Sequence, residues 1–314
     1  MARIIVVGSL NVDLVVRTPR FPRPGETISG EDLAIVHGGK GANQAVAAAR
    51  MGGQVAMVGR VGDDAFGQRL IRGLDEQGVD TAHVRVDRAS ATGTAVIVVD
   101  AAGENSIILS PGANGRVQPA DVEAAEPLFE MAELLVLQLE IPVSTVTAAA
   151  ALARERGLTV VLNPAPGQLL SDSLLGCVDI LVPNETELEL LLGRDVDGMD
   201  ARARAAGQLL RKGVSTVIVT LGAEGALVVT AEGACHIPGR SVDVVDTTAA
   251  GDALVGGLSA ALTAGRSLVE AVEYANCAGA LAVTKFGAQP SLPTAAQVDA
   301  LFQRRDERGG SGAL

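Results

Sequence analysis

Ile4-Ile5-Val6-Val7-Gly8-Ser9-Leu10-Asn11-Val12-Asp13 is the stretch whose reading decides the fold. Ile4–Val7 is apolar throughout and rich in β-branched side chains, which suits a strand buried on both faces. A Gly8-Ser9 turn follows, and then two polar side chains, Asn11 and Asp13. The same pattern recurs along the chain. Val55–Val58, Leu134–Leu139, Thr159–Leu162, Ile180–Val182 and Val217–Thr220 are apolar nearly throughout. Between them lie stretches that read as helices: Ala42–Met51, Ala65–Gln77, Val143–Arg156, Glu185–Leu192 and Ala201–Lys212. The C-terminal third turns helical, with Asp252–Ala264, Leu268–Lys285 and Thr294–Arg304. Such alternation predicts an α/β fold: a three-layer, doubly wound, mostly parallel sheet with helices on both faces.

Two segments break the pattern. Asp13–Ile35 carries Pro19, Pro22, Pro24 and Gly25 around short extended pieces, and Thr94–Asp100 and Ser106–Ser110 flank the turn Ala101–Asn105. They read either as ordinary edge strands or as a small antiparallel flap beside the main sheet. With the flap reading, one catalytic domain spans 1–303, lid segments at about 13–36 and 93–110 are inserted in it, and 304–314 is a flexible tail.

Composition narrows the function. The chain has 314 residues, 48% of them hydrophobic but only 2% aromatic, so Val, Leu, Ile and Ala must build the core. A formal charge of −12 and the lack of clustered Lys and Arg argue against a nucleic-acid partner. Cys177, Cys235 and Cys277 are far apart, which argues against a disulfide framework. No apolar run approaches membrane-spanning length. The expectation is a cytoplasmic protein that touches neither nucleic acid nor membrane.

In an open α/β sheet, ligands bind beyond the carboxyl ends of the strands. Asn11 and Asp13, Glu140, Asn163, Asn184 and Thr220-Leu221-Gly222 all fall at such ends. Asn11 and Asp13 lie two apart, so an extended backbone turns both the same way. They read as a solvated loop end or as a donor–acceptor pair for sugar hydroxyls. Gly38-Gly39-Lys40-Gly41-Ala42-Asn43 precedes a helix and lets backbone approach a ligand. It is not a P-loop, because position 34 is Ala where Gly is needed and position 41 is Gly where Ser or Thr is needed. No Gly-x-Gly-x-x-Gly fingerprint opens the first helix, which disfavours a dinucleotide-dependent dehydrogenase. No Gly-x-Ser-x-Gly nucleophile turn occurs, and His37, His83 and His236 lack metal-ligand spacing.

Asp246-Thr247-Thr248-Ala249-Ala250-Gly251-Asp252 is the most informative motif. Small residues leading into a helix expose backbone N–H groups at the positive end of its dipole, which makes an anion hole. Asp252 then reads either as a carboxylate beside a bound phosphate or as an N-cap. Asn184 and Glu187 share a helix face. Glu187 there can hold Mg²⁺ through water or simply complement the helix dipole.

Taken together these stretches resemble the ribokinase, or PfkB, family of carbohydrate kinases, from about Ile4 to Leu301. Gly38–Ala45 with Gly52 and Gly62 is similar to the family's N-terminal signature, and Asp246–Ser259 to its C-terminal one. Gly8–Asp13, Gln138–Glu140, Asn163–Pro166, Pro183–Glu187 and Gly287–Ser291 resemble the ribokinase branch. The resemblance implies ATP-dependent phosphorylation of D-ribose to D-ribose 5-phosphate. Deoxyribose, fructose, tagatose-phosphate or nucleoside kinases are the alternatives within the family, and a non-catalytic sugar-binding regulator the alternative outside it.

It also implies roles. Asp252 matches the catalytic base, and Ala249, Ala250 and Gly251 the anion hole. Asn11, Asp13, Gly39, Lys40, Asn43 and Glu140 match sugar-holding positions. Asn184, Thr220, Leu221, Gly222, Ala223, Glu224, Gly225, Gly251 and Asn276 match nucleotide contacts. Glu187 matches the motif tied to Mg²⁺, and Asp246, Thr248, Ala282, Lys285, Gly287 and Ser291 a site for a monovalent cation such as K⁺. The lid segments match a β-lid through which members form homodimers. One departure stands out: Ala253-Leu254 occupies the place of the usual Thr-Phe after the catalytic aspartate, and activity is expected to survive it.

Overall fold

Ile4 and Val6 point to one side of the strand Ile4–Val7 and Ile5 and Val7 to the other, and all four are fully buried. Ile4 and Val6 join one hydrophobic cluster with Val46, Ala47, Val255 and Leu258. Ile5 and Val7 join a second with Val146, Ala149 and Leu188. A strand whose alternate side chains enter two different cores must lie in the middle of three layers.

The computed structural model describes residues 3–304. The main sheet has nine strands, in the order Gly233–Pro238, Gly225–Thr230, Thr216–Thr220, Ile180–Leu181, Thr159–Leu162, Leu134–Leu137, Ile4–Val7, Val55–Gly62, Asp80–Asp87. From Thr216–Thr220 through Asp80–Asp87 every pairing is parallel, and the last two strands add an antiparallel edge hairpin. The sequence reading missed three of these strands, Gly225–Thr230, Gly233–Pro238 and Asp80–Asp87. Asp80–Asp87 is an edge strand, and only Val84 and Asp87 in it are buried. Among the described residues no helix is long and apolar enough to cross a membrane. The flexible tail expected from position 304 falls, beyond Arg304 itself, outside the described residues.

A second sheet of four strands has the order Ala34–Gly38, Asn11–Arg17, Gly93–Val99, Asn105–Ser110. The expected antiparallel flap is corrected here to a mixed sheet, because Asn11–Arg17 pairs with Gly93–Val99 in parallel. The reason is geometric. Asn11 follows Ile4–Val7 and Gly93 follows Asp80–Asp87, two parallel strands whose carboxyl ends point the same way.

Two helices position the site. Lys40–Arg50 begins at Gly39, whose φ of 88° is open to glycine and whose Cβ, were there one, would lie 2.6 Å from the Asn11 nitrogen. Ala250–Thr263 packs against it through small residues. At Gly256 an added Cβ would lie 2.8 Å from the Ala48 nitrogen and 2.9 Å from the Gln44 carbonyl oxygen. Ala253 and Leu254 are buried in the same cluster, so the departure from Thr-Phe is absorbed by packing.

Candidate active site

The N-terminus of helix Lys40–Arg50 is held from the sheet side. Glu140, just past the strand Leu134–Leu137, accepts hydrogen bonds on Oε2 from the Lys40 backbone N–H at 3.0 Å and the Ser9 hydroxyl at 2.6 Å. A carboxylate there satisfies a free amide of the first turn and complements the helix dipole. That anchoring fixes where the next turn of the helix points its side chains.

It points Asn43 and Gln44 at Asp252. Asn43 donates from Nδ2 to Asp252 Oδ2 at 2.9 Å, and Gln44 from Nε2 to Asp252 Oδ1 at 3.0 Å. Asp252 is 5% exposed. The N-cap reading of Asp252 is corrected: Ala249 is the cap, at φ 60°, and the helix begins at Ala250. Asp252 is therefore a third-position residue whose side chain turns away from capping toward the facing helix. The Gly251 and Asp252 N–H groups have no partner within the helix, as in any first turn. Gly251 faces open space, since an added Cβ would meet nothing within 4 Å.

Around this carboxylate lies a cavity of about 190 Å³ lined by Lys40, Asn163, Asn184, Glu187, Thr220, Thr247 and Ala249–Asp252. Asn184 and Glu187 form a capping box: Glu187 donates its N–H to Asn184 Oδ1 at 2.7 Å, and Asn184 its N–H to Glu187 Oε2 at 2.9 Å. Burial pushes the Glu187 carboxyl above its ordinary range, with Asp252 adding to it and the Asn184 N–H and Lys40 opposing. Burial works against the Lys40 charge, yet Asp252, Glu140 and Glu187 together hold the ammonium pKa above its usual value.

A larger cavity of about 640 Å³ continues from the first through Thr220, Thr247, Ala250 and Gly251. Gly222, Ala223, Gly225 and Asn276, four of the positions expected at a nucleotide, line it. Leu221 and Glu224 do not line it: Leu221 is turned into the core, and the Glu224 carbonyl is taken by the Gly239 N–H and His236. Gly239–Val242, Val244, Leu254, Gly279, Ala280 and Val283 also line this cavity, and the sequence reading missed them. Most of these are apolar loop and helix residues with no chemical signature of their own, and Arg240 and Ser241 stand outside any motif in the sequence.

Asp246 ties two loops together. Its Oδ1 accepts from the Thr248 N–H at 2.9 Å and hydroxyl at 2.6 Å, and its Oδ2 from the Gly287 N–H at 2.8 Å. These bonds outweigh burial and hold its pKa below the ordinary carboxylate value. Ala282 ends the preceding helix and accepts from the Lys285 N–H, while Ser291 is buried and donates to the Ala288 carbonyl. The Lys285 side chain is exposed.

On the lid side, Asn11 is held by Asn114, which donates to Asn11 Oδ1 at 2.7 Å and clasps the Leu10 backbone on both its N–H and its carbonyl. Nothing in the sequence marks Asn114 as part of a site. Asp13 lies over Gly38. Asn43 Oδ1 is buried without a hydrogen-bond partner.

An α/β sheet with a lid, an acidic cleft and a helix start facing open space is the architecture of a small-molecule phosphotransferase. Residues 1–295 match the pfkB family carbohydrate kinases, and the chain belongs to that family. It is 44% identical over 289 residues to a ribokinase of Haemophilus influenzae, covering 92% of this chain and 94% of that one. It is 40% identical over 295 residues to a deoxyribokinase of Salmonella typhimurium, covering 94% and 96%. The structure of Arabidopsis thaliana ribokinase complexed with ribose and ATP superposes with a TM-score of 0.89 at 34% identity, over 96% of this chain and 99% of that one.

Asp13 generates a test. Burial, then the charges of Glu140 and Asp252, push its carboxyl up to about 7. The folded protein therefore keeps a proton that the unfolded chain releases near pH 4. Stability contributed at this site falls as pH rises from about 4 to about 7. Asp13→Asn should flatten that slope in urea unfolding and gain most over wild type above pH 7. An unchanged slope would show that Asp13 is ionised throughout.

Proposed function

We propose that the chain transfers the γ-phosphoryl group of ATP to the primary hydroxyl of D-ribose, giving D-ribose 5-phosphate and ADP. The observation that carries this reading is the buried Asp252 carboxylate, gripped on both oxygens beside the free N–H groups of its own helix start. Asp252 takes the hydroxyl proton as the new oxygen–phosphorus bond forms and the bond to the β-phosphate oxygen breaks. In a loose transition state that proton leaves late, so the transfer does not demand a strong base. The Ala249–Gly251 turn stabilises charge on the group in transfer.

Asn11, Asp13, Gly39, Lys40, Asn43 and Glu140 hold the sugar. The unpartnered Asn43 Oδ1 supports this, because a hydroxyl would supply its missing donor. Asn184, Thr220, Gly222, Ala223, Gly225 and Asn276 hold the nucleotide. Glu187, with one oxygen outside the capping box, would hold Mg²⁺ through water; such an ion neutralises phosphate charge when bound. Asp246, Thr248 and the carbonyls near Ala282, Lys285, Gly287 and Ser291 would hold a monovalent cation. The three free cysteines fit a cytoplasmic setting.

Deoxyribose is the second reading, favoured by the Salmonella relative. Asn114 occupies Asn11 Oδ1 and leaves the Asn11 NH₂ to meet a sugar oxygen, which supports the substrate with the additional hydroxyl. A panel of sugars assayed by coupled ADP release should give ribose the highest kcat/KM. Deoxyribose would lose about 10–100-fold, the value of one unpaired buried donor. Preference for deoxyribose, fructose or a nucleoside would overturn the assignment. In the same assay K⁺ should exceed Na⁺ at matched ionic strength, and equal rates would remove the cation site.

The lid offers a dimer contact. Every residue of Asn105–Ser110 is exposed, and Ile107, Ile108 and Leu109 present apolar surface on an edge strand. Sedimentation should give a dimer that Ile108→Arg dissociates; a wild-type monomer at micromolar concentration would remove this assembly.

A further inference from the structure

We propose that Gln44 is a positioning residue for Asp252: its side-chain amide, oriented by a relay through Asn163 and Gln138, fixes the carboxylate in the attitude that receives the substrate proton. The proposal rests on reading Asp252 as the base.

The relay has a direction, and a backbone group sets it. The Val182 carbonyl can only accept, so Asn163 gives it the Nδ2 hydrogen at 2.9 Å. The Asn163 oxygen is thereby the atom left facing Gln44. Gln44 must donate to it, at 3.1 Å, and the same Nε2 donates to Asp252 Oδ1 at 3.0 Å. The Gln44 oxygen accepts from Gln138 Nε2 at 2.6 Å. A flip of any one amide would set like groups against each other. Gln44 is 1% exposed and Gln138 is fully buried, so bulk water does not compete for these bonds.

Such a relay answers a specific hazard. The Lys40 ammonium shares the cavity with Asp252 and attracts it, as the raised Lys40 pKa reflects. Left to rotate, the carboxylate would swing toward that charge. Asn43 and Gln44, successive residues about 100° apart around their helix, hold its two oxygens separately and define the carboxylate plane. Positioning of this kind is a large part of phosphoryl-transfer catalysis.

The test compares wild type, Gln44→Met and Gln44→Glu by coupled ADP release with ribose and ATP across about pH 5–9. Gln44→Met removes the donor, and kcat should fall at least about tenfold while KM for both substrates stays within about threefold. Gln44→Glu sets a second carboxylate against Asp252, in a cleft that Asp13, Glu187 and Lys40 also charge. The acid limb of its kcat profile should move up by about one pH unit or more, with activity returning as pH rises. A purely structural Gln44 would lower the melting temperature without moving that limb. Values of kcat within threefold of wild type and an unmoved limb in the folded variants would overturn the proposal. So would a kcat loss matched by a rise in KM.

A measurement on wild type alone covers variants that fail to fold. The Gln44 side-chain NH₂ protons should be protected from solvent exchange by their two acceptors, and protons that exchange as fast as those of an exposed glutamine overturn the proposal. No sugar enters this measurement, so it judges the relay even if the wild-type enzyme proves inactive on ribose and the functional reading fails.

Discussion

Everything in the cleft depends on the close contact of two helices that are distant in sequence. Lys40–Arg50 and Ala250–Thr263 meet at Gly256, where the Ala48 nitrogen and the Gln44 carbonyl leave no room for a side chain. Ala47 and Ala48 complete the contact from the other side. Small residues let the two backbones approach closely, and the approach brings Asn43 and Gln44 within hydrogen-bonding distance of Asp252, some 209 positions away for Asn43. The same helix is anchored at its start by Glu140 and Ser9. A shift of one helix against the other would separate a carboxylate from both of its donors at once.

The electrostatics of the cleft follow from that compact arrangement. Glu140, Glu187 and Asp252 surround the ammonium of Lys40, and Asp13 feels the charges of Glu140 and Asp252. Burial raises the pKa of Asp13 and Glu187, while the same negative charges keep Lys40 protonated. The first-turn amides of Ala250–Thr263 add partial positive charge where the two cavities join. The cavity beside Lys40 and Asp252 and the larger one beyond Thr220 and Thr247 therefore carry different fields, although they share the Ala250-Gly251 turn.

Much of this was legible in the sequence, and the reasons differ by element. Ile4–Val7 announced its place because a strand with two buried faces must be apolar at every position, and both faces are indeed core. The stretch Asp246–Asp252 announced a turn into a helix because its residues are small. Its cap was not legible: a non-glycine residue at φ 60° is uncommon, and Ala249 carries no mark of it. The parallel pairing inside the lid was hidden because it depends on which way two separate strands of the main sheet point. Gln44, Gln138 and Asn114 escaped notice as site residues for a related reason, and Asn163 was marked only by its place at a strand end. Each is an ordinary amide until the fold closes it against a partner far along the chain.

The central claim is that Asp252 acts as a base and not as a structural acid, and Asp252→Asn tests it most directly. The fold should tolerate the change, because Asn43 can turn its unpartnered Oδ1 toward the new NH₂ while Gln44 keeps its acceptor. Melting temperature and the affinities for ATP and ribose should therefore stay close to wild type. The new side chain cannot take the hydroxyl proton, so kcat should fall by roughly 10²–10⁴-fold. A folded mutant that binds both substrates and retains more than about a tenth of wild-type kcat, against that range, would contradict the account.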